Sequence, residues 1–221
     1  MRGAATRVLD LALPGTCVGC GREGEPLCER CAPALDARLH EPPGAPIGLP
    51  ADIPAPLLQI EWCAPFRGTV RDALHAIKYG AEQRLAEPLG AAIARRWARA
   101  GVGADLMVHV PVHAERRRVR GYDQAERIAQ AAARRLQFEH RSALVRRRVT
   151  TAQFDLDRRH RAANVDGAFT VTAGHPAAIR GRWIVLVDDV LTTGATLAAC
   201  ATALLEAGAG AVSAITVARE R

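Results

Sequence analysis

The chain has 221 residues, 49% hydrophobic and 24% charged, enough for one well-buried domain and a small appendage. No apolar run approaches the roughly 20 residues of a membrane helix, and residues 1–13 read as mature sequence rather than a secretory signal, so a cytoplasmic protein is expected. The formal charge of +7 is local, because residues 113–161 carry 14 arginines against 6 acidic residues. Such a run reads as a solvated face, a phosphate site or a nucleic-acid surface. Lys78 is the single lysine of the chain. Against this bias to arginine it stands out as a compact point charge rather than a planar fork.

The first 31 residues hold Cys17-x2-Cys20-x7-Cys28-x2-Cys31. Each CxxC turn aims two sulfurs at one centre, and two of them supply the four thiolates of a closed tetrahedral zinc site. A disulfide pair requires export. A redox CxxC requires an adjoining strand–helix unit. An iron–sulfur cluster takes the same four ligands. Structural Zn2+ is the expectation. Cys63 and Cys200 stand in apolar surroundings and are assigned no role, and the seven histidines show no metal-ligand spacing. Residues 41–57, with six prolines, suit neither long helices nor central strands. The expected organisation is a four-cysteine module over 1–40, a Pro/Gly-rich linker over 41–60, and one main domain over 61–221.

Beyond the linker, helix and strand patterns alternate. Residues 69–79 place Val70, Leu74 and Ile77 on one face of a helix. Residues 87–99 form a second, alanine-rich helix, and 106–110 a strand closed by Pro111. Residues 123–136 form a helix that Asp123 and Glu126 open at capping-box spacing. Strands are expected at 169–172, 183–187 and 211–217, and a helix at 195–206 ended by Gly208. This alternation predicts an α/β fold, a mostly parallel sheet with helices on both faces.

The run from Ile184 to Thr196 carries the chemistry. Apolar residues make a strand, Asp188 and Asp189 follow at its carboxyl end, and Leu191, Thr192, Thr193, Gly194, Ala195 and Thr196 turn into a helix. Ligands of open parallel sheets bind at the carboxyl ends of strands, and a helix N-terminus with free N–H groups and hydroxyls cradles phosphate. The aspartates repel phosphate and suit ribose hydroxyls, with indirect support of Mg2+. The plainer alternative is an N-cap beside two surface aspartates.

This run resembles the phosphoribosyl pyrophosphate signature of type I phosphoribosyltransferases. The four-cysteine module, the Lys78-Tyr79-Gly80 helix end, Val110-Pro111-Val112-His113, and Arg120-Gly121-Tyr122-Asp123-Gln124 narrow the resemblance to the ComF family, which includes competence-associated ComFC-like proteins; Asp123 stands where that family usually has asparagine. The resemblance implies a phosphoribosyltransferase-type domain that binds phosphoribosyl pyrophosphate with Mg2+. It implies Asp188 and Asp189 as the catalytic pair and residues 191–196 as the 5-phosphate loop. Val112, His113 and residues 116–121 would form the pyrophosphate loop, with Arg120 its leading arginine. A closing loop would hold Thr151, Gln153, Arg158 and Arg161. Lys78 either reaches the site or caps its helix.

Two functions follow. One is an enzyme that transfers the phosphoribosyl group to an acceptor, or a relative that keeps only the binding. The other is a factor in DNA uptake that acts through single-stranded DNA or a helicase-type partner. An aromatic content of 4%, without an interleaved aromatic and basic run, weakens direct strand binding.

Overall fold

The structure is a computed structural model that describes residues 15–44, 53–112, 114–146 and 167–220. The cysteine segment opens with two short paired strands, β1 (Gly15–Thr16) and β2 (Glu23–Gly24), followed by a 3-10 turn over Ala32–Asp36. Strand β3 (Ile60–Pro65) leads to helix α1 (Gly68–Tyr79), a 3-10 turn (Gln83–Leu85) and helix α2 (Ala86–Ala100). Strand β4 (Leu106–His109), helices α3 (Ala114–Arg120) and α4 (Gln124–Leu136), and strand β5 (Glu139–Arg141) follow. Strands β6 (Leu144–Arg146) and β7 (Phe169–Val171) pair with each other, and helix α5 (Pro176–Ile179) comes next. Strand β8 (Trp183–Leu191), helix α6 (Ala195–Glu206) and strand β9 (Ala211–Arg219) complete the chain.

Five strands form one parallel sheet in the order β3-β9-β8-β4-β5. Side chains alternate across it, as the period of two requires. Met107, Val185, Val187, Ile215 and Val217 face the layer of α1, α2 and α4, and Leu106, Val108, Ile184, Leu186 and Val212 face α6 and the β6–β7 ribbon. Helices α2 and α4 approach closely because Gly90 has no side chain. A Cβ there would lie 2.5 Å from Ala131 Cβ.

Three local expectations change. Strand β8 runs on to Leu191, so Asp188 and Asp189 lie within the strand rather than after it. The ladder to β9 continues through Asp188↔Thr216 and Leu191↔Arg219 and holds the backbone extended. Residues 116–121, expected in a loop, mostly belong to α3, with Arg120 as its last residue. Strand β3 was not expected, because prolines crowd its approach and Glu61 interrupts its apolar run.

Glu61 is fully buried and meets an equally buried Arg96 at 2.6 Å. Arg96 also donates to the carbonyls of Arg38 and Glu41, each at 2.7 Å, and to Pro42 at 3.2 Å. The other Glu61 oxygen accepts from Gly44 N at 2.9 Å and Gln59 Nε2 at 3.0 Å. This network fastens residues 38–44 to α2 and β3. Cys17, Leu27, Cys28 and Leu35 of the cysteine segment lie in the same apolar cluster as Leu74 and Ile77.

Breaking a buried pair leaves an uncompensated charge. Arg96→Ala is therefore expected to destabilise the metal-loaded protein by about 3–5 kcal/mol in urea unfolding. Removing both charges, in Glu61→Leu/Arg96→Leu, is expected to restore part of that loss.

Candidate functional site

At the carboxyl half of β8 the sheet offers a buried acid. Asp189 is 7% exposed. A carboxylate in that position must be paired, and two partners from distant parts of the chain reach it. Lys78, in the last turn of α1, brings Nζ to 2.8 Å of Oδ2. Gln124, the first residue of α4, donates Nε2–H to the same oxygen at 2.9 Å. The Oε1 of Gln124 accepts in turn from Arg120 Nη1 at 2.9 Å. The guanidinium of Arg120 lies 5.1 Å from the centroid of the Tyr79 ring. Lys78, Arg120 and Asp189, drawn from three separate motifs, thus share one cluster. Asp188 accepts from the Asp189 backbone N–H at 2.8 Å. Burial and the adjacent Asp189 push the Asp188 carboxyl well above the ordinary range, against the pull of that N–H and of Lys78. Tyr122 fixes the ends of α1 and α4 together through a short hydrogen bond from its hydroxyl to the Ile77 carbonyl.

The turn after β8 places Thr192 and Thr193 on the surface and Leu191 and Gly194 inside. Gly194 has φ +81°, a left-handed conformation, and a Cβ there would lie 2.8 Å from Pro54. Both conditions call for glycine. Thr193 Oγ1 accepts from Ala195 N at 3.4 Å. Ala195 and Thr196 begin α6, whose first N–H groups have no partner inside the helix and carry its positive dipole end.

The loop after β4 is tied down from below. Asp123 caps α4 by accepting at Oδ1 from the N–H groups of Ala125 (3.0 Å) and Glu126 (3.2 Å). Its Oδ2 accepts from Val112 N at 3.0 Å. An asparagine would turn an NH2 donor toward one of these donors, so the carboxylate suits both tasks. The buried His109 comes within 4.0 Å of the same Oδ2, and its Nδ1 lies 3.2 Å from His140 Nε2, ring stacked on ring. Burial lowers His109, and burial together with His109 lowers His140 to about 4. His113, Thr151, Gln153, Arg158 and Arg161 lie outside the described residues.

The thiols of Cys17, Cys20, Cys28 and Cys31 all lie within 4.8 Å of one another. Cys20 and Cys28 sulfurs are 3.7 Å apart. Tetrahedral ligands around a Zn–S bond of about 2.3 Å sit about 3.8 Å apart, so the set fits such a metal. Burial raises the Cys17 thiol, but the N–H groups of Cys28, Gly19 and Cys20 outweigh it and bring it down to about 6. That favours the thiolate a metal requires. Gly19 is essential to the packing, since a Cβ there would lie 2.8 Å from Thr69 and 2.9 Å from Cys31 Sγ.

Four contributors escaped the reading of the sequence as site residues. Gln124 and Tyr79 stand within the motifs quoted from the sequence but were given no role there. His109 and His140 are 31 positions apart. Gln124 had a local signal in its place directly after the N-cap, and Tyr79 in its place beside Lys78.

No family model matches the chain. The DNA utilization protein YhgH of Escherichia coli (strain K12) is 31% identical over 208 residues, covering 90% of this chain and 87% of that protein. The protein of the same name from Salmonella typhi is 28% identical over 221 residues, covering 91% of this chain and 96% of its own. Two solved structures overlap at 23% identity. They are the allosteric regulatory enzyme of purine biosynthesis (TM-score 0.40) and the glutamine phosphoribosylpyrophosphate amidotransferase of B. subtilis (TM-score 0.41). Each overlap covers 59% of this chain and a quarter of the other. Among the described residues no helix is long and apolar enough to cross a membrane.

Chelation of the metal is expected to release the cysteine segment, because binding free energy at such a site is folding free energy. Hydrogen exchange of residues 15–36 in the presence and absence of a chelator reads this out. A second expectation concerns acid. A histidine whose folded value lies below its unfolded 6.5 binds fewer protons folded than unfolded. Its contribution is complete above pH 6.5 and is lost as pH falls toward about 4. His140→Gln is expected to flatten the fall in urea midpoint between pH 6.5 and 4 relative to wild type.

Proposed function

The chain belongs to the family of the DNA utilization protein YhgH, and on that premise we propose that the carboxyl edge of its sheet binds phosphoribosyl pyrophosphate with Mg2+. In this reading it is a type I phosphoribosyltransferase-like protein of the ComF kind that passes the phosphoribosyl group to an acceptor. One observation carries it: Lys78 and Gln124 converge on Asp189 in the same strand that runs out into an exposed threonine turn at a helix N-terminus.

The roles follow from charge. The dipole end of α6, with Thr192, Thr193 and Thr196, holds the 5-phosphate. Leu191, Gly194 and Ala195 shape the backbone that approaches it. Asp188 and Asp189 accept from the ribose hydroxyls and would help to hold Mg2+, which when bound would supply charge to neutralise the departing pyrophosphate. Val112, with His113 beside it, lines the pyrophosphate side, and Lys78 and Arg120 add positive charge. Asp123 holds the β4 loop in place before ligand arrives, which lowers the ordering cost on binding. Gln153 and Arg161 belong to the same reading. So does the organisation into a Zn2+ module (1–40), a connector (41–60) and a transferase-like domain (61–221), and so does a place in the cytoplasm.

A second reading has its own support in the name of the relatives. On that reading the chain is a factor in DNA handling that contacts single-stranded DNA or a helicase-type partner. The local excess of arginine suits a phosphate backbone.

Isothermal titration of phosphoribosyl pyrophosphate with Mg2+ tests the first reading. Saturable binding by wild type, weakened at least about 100-fold in Asp188→Asn/Asp189→Asn, is the expected outcome for losing both ribose contacts. A folded, metal-loaded wild type that binds no ligand would overturn it.

A further inference from the structure

The sequence scatters its few aromatic residues, but the fold collects several of them. Along the outer side of α1 the Phe66 ring lies 6.0 Å from His75, and His75 lies 5.8 Å from Tyr79. The Tyr79 ring is followed by the Arg120 guanidinium at 5.1 Å. His75 is exposed and Tyr79 is 74% exposed, while Phe66 is half-buried against the core. The row has a cationic border. Arg67 and Arg71 are exposed beside it, and Arg71 pairs with the neighbouring Asp72 at 3.4 Å. At its Phe66 end the row opens into a cavity of about 550 Å3 that Trp62 also lines. The Arg38 guanidinium lies 3.5 Å over the Trp62 ring.

We propose that this row, Phe66–His75–Tyr79–Arg120, is a stacking platform for single-stranded DNA. The inference rests on the DNA-handling reading above and supplies the site which that reading lacks. The ring planes meet at 44° and 80° rather than in parallel, so bases splayed from a strand would meet separate faces, and sequence-tolerant binding needs only π-faces and nearby cations. Duplex DNA already has its bases stacked and would leave the Tyr79 face unused. The cavity beside Phe66 is of a size that takes a small planar ligand, so one base of the strand can turn into it. The row also ends at the candidate site, since Tyr79 follows Lys78 in the chain and Arg120 leads through Gln124 to Asp189.

Fluorescence anisotropy of a labelled 30-nucleotide oligothymidylate, with the full metal-loaded chain, tests this. Competing duplex DNA and RNA of matched length show which nucleic acid the surface prefers. Tyr79→Ala is expected to weaken binding about 10-fold or more, and Tyr79→Trp to retain it, because the loss is of a stack. The slope of affinity against salt should stay the same in Tyr79→Ala and become shallower in Arg67→Ala/Arg71→Ala, which removes phosphate contacts. An unchanged urea midpoint for Tyr79→Ala shows that the fold is intact. A wild type that binds the strand no better than Tyr79→Ala does overturns the platform and leaves the DNA-handling reading standing. A wild type that prefers duplex overturns the platform as well. A wild type that binds no oligonucleotide overturns the platform and the direct single-strand arm of the DNA-handling reading, and leaves the helicase-type partner as its remaining form.

Discussion

Asp189 is a carboxylate almost closed off from water at the end of a strand that the β9 ladder holds straight. Such a group is tolerated only when its oxygens are satisfied. The ammonium of Lys78 and the amide of Gln124 meet that demand on one oxygen, and each comes from the end of a different helix. The pairing therefore holds the last turn of α1 and the first turn of α4 against the same point of β8. It also fixes the positions of Tyr79 and Arg120, which neighbour these two partners. The candidate site, and the aromatic row leading away from it, both depend on this satisfied acid.

A comparable constraint operates where the cysteine segment meets the main sheet and helices. The cysteine segment is short and could not bury a core of its own. It borrows one, placing Cys17, Leu27 and Leu35 among the residues of α1 and α2. The connecting residues 38–44 are stitched down by Arg96 and Glu61, whose charges are matched to each other and to backbone carbonyls. Buried ion pairs contribute little net stability compared with apolar packing. What this one contributes is direction: the guanidinium can meet three carbonyls and a carboxylate only when the segment lies in one place.

Both readings of function use the same geometry. On the proposed first reading the carboxyl edge offers acids for hydroxyls, a helix end for phosphate and a lysine paired with one of the acids. The outer side of α1 offers planar faces and cations. Ribose phosphates are common to nucleotides and to nucleic acid strands, so the two proposed readings share one ligand chemistry.

Much of this was legible in the sequence. The elements at 69–79, 123–136 and 195–206 announced themselves by period, cap and terminating glycine, because these are local properties of helices. The cysteine spacing and the acid–threonine run were legible for the same reason, since each motif is continuous. The strand β3 was hidden by its prolines and by Glu61, whose burial makes sense only beside Arg96, 35 residues away. The extension of β8 through Asp188 and Asp189 depended on the partner strand β9. The joining of Lys78, Gln124 and Asp189, the His109–His140 stack and the aromatic row were decided by tertiary structure alone. Sequence determined which chemical groups the chain carries and in what local conformation. Packing of helices against the sheet determined which of them meet, because the energy that brings distant side chains together comes from burial of the whole core and not from the residues that meet.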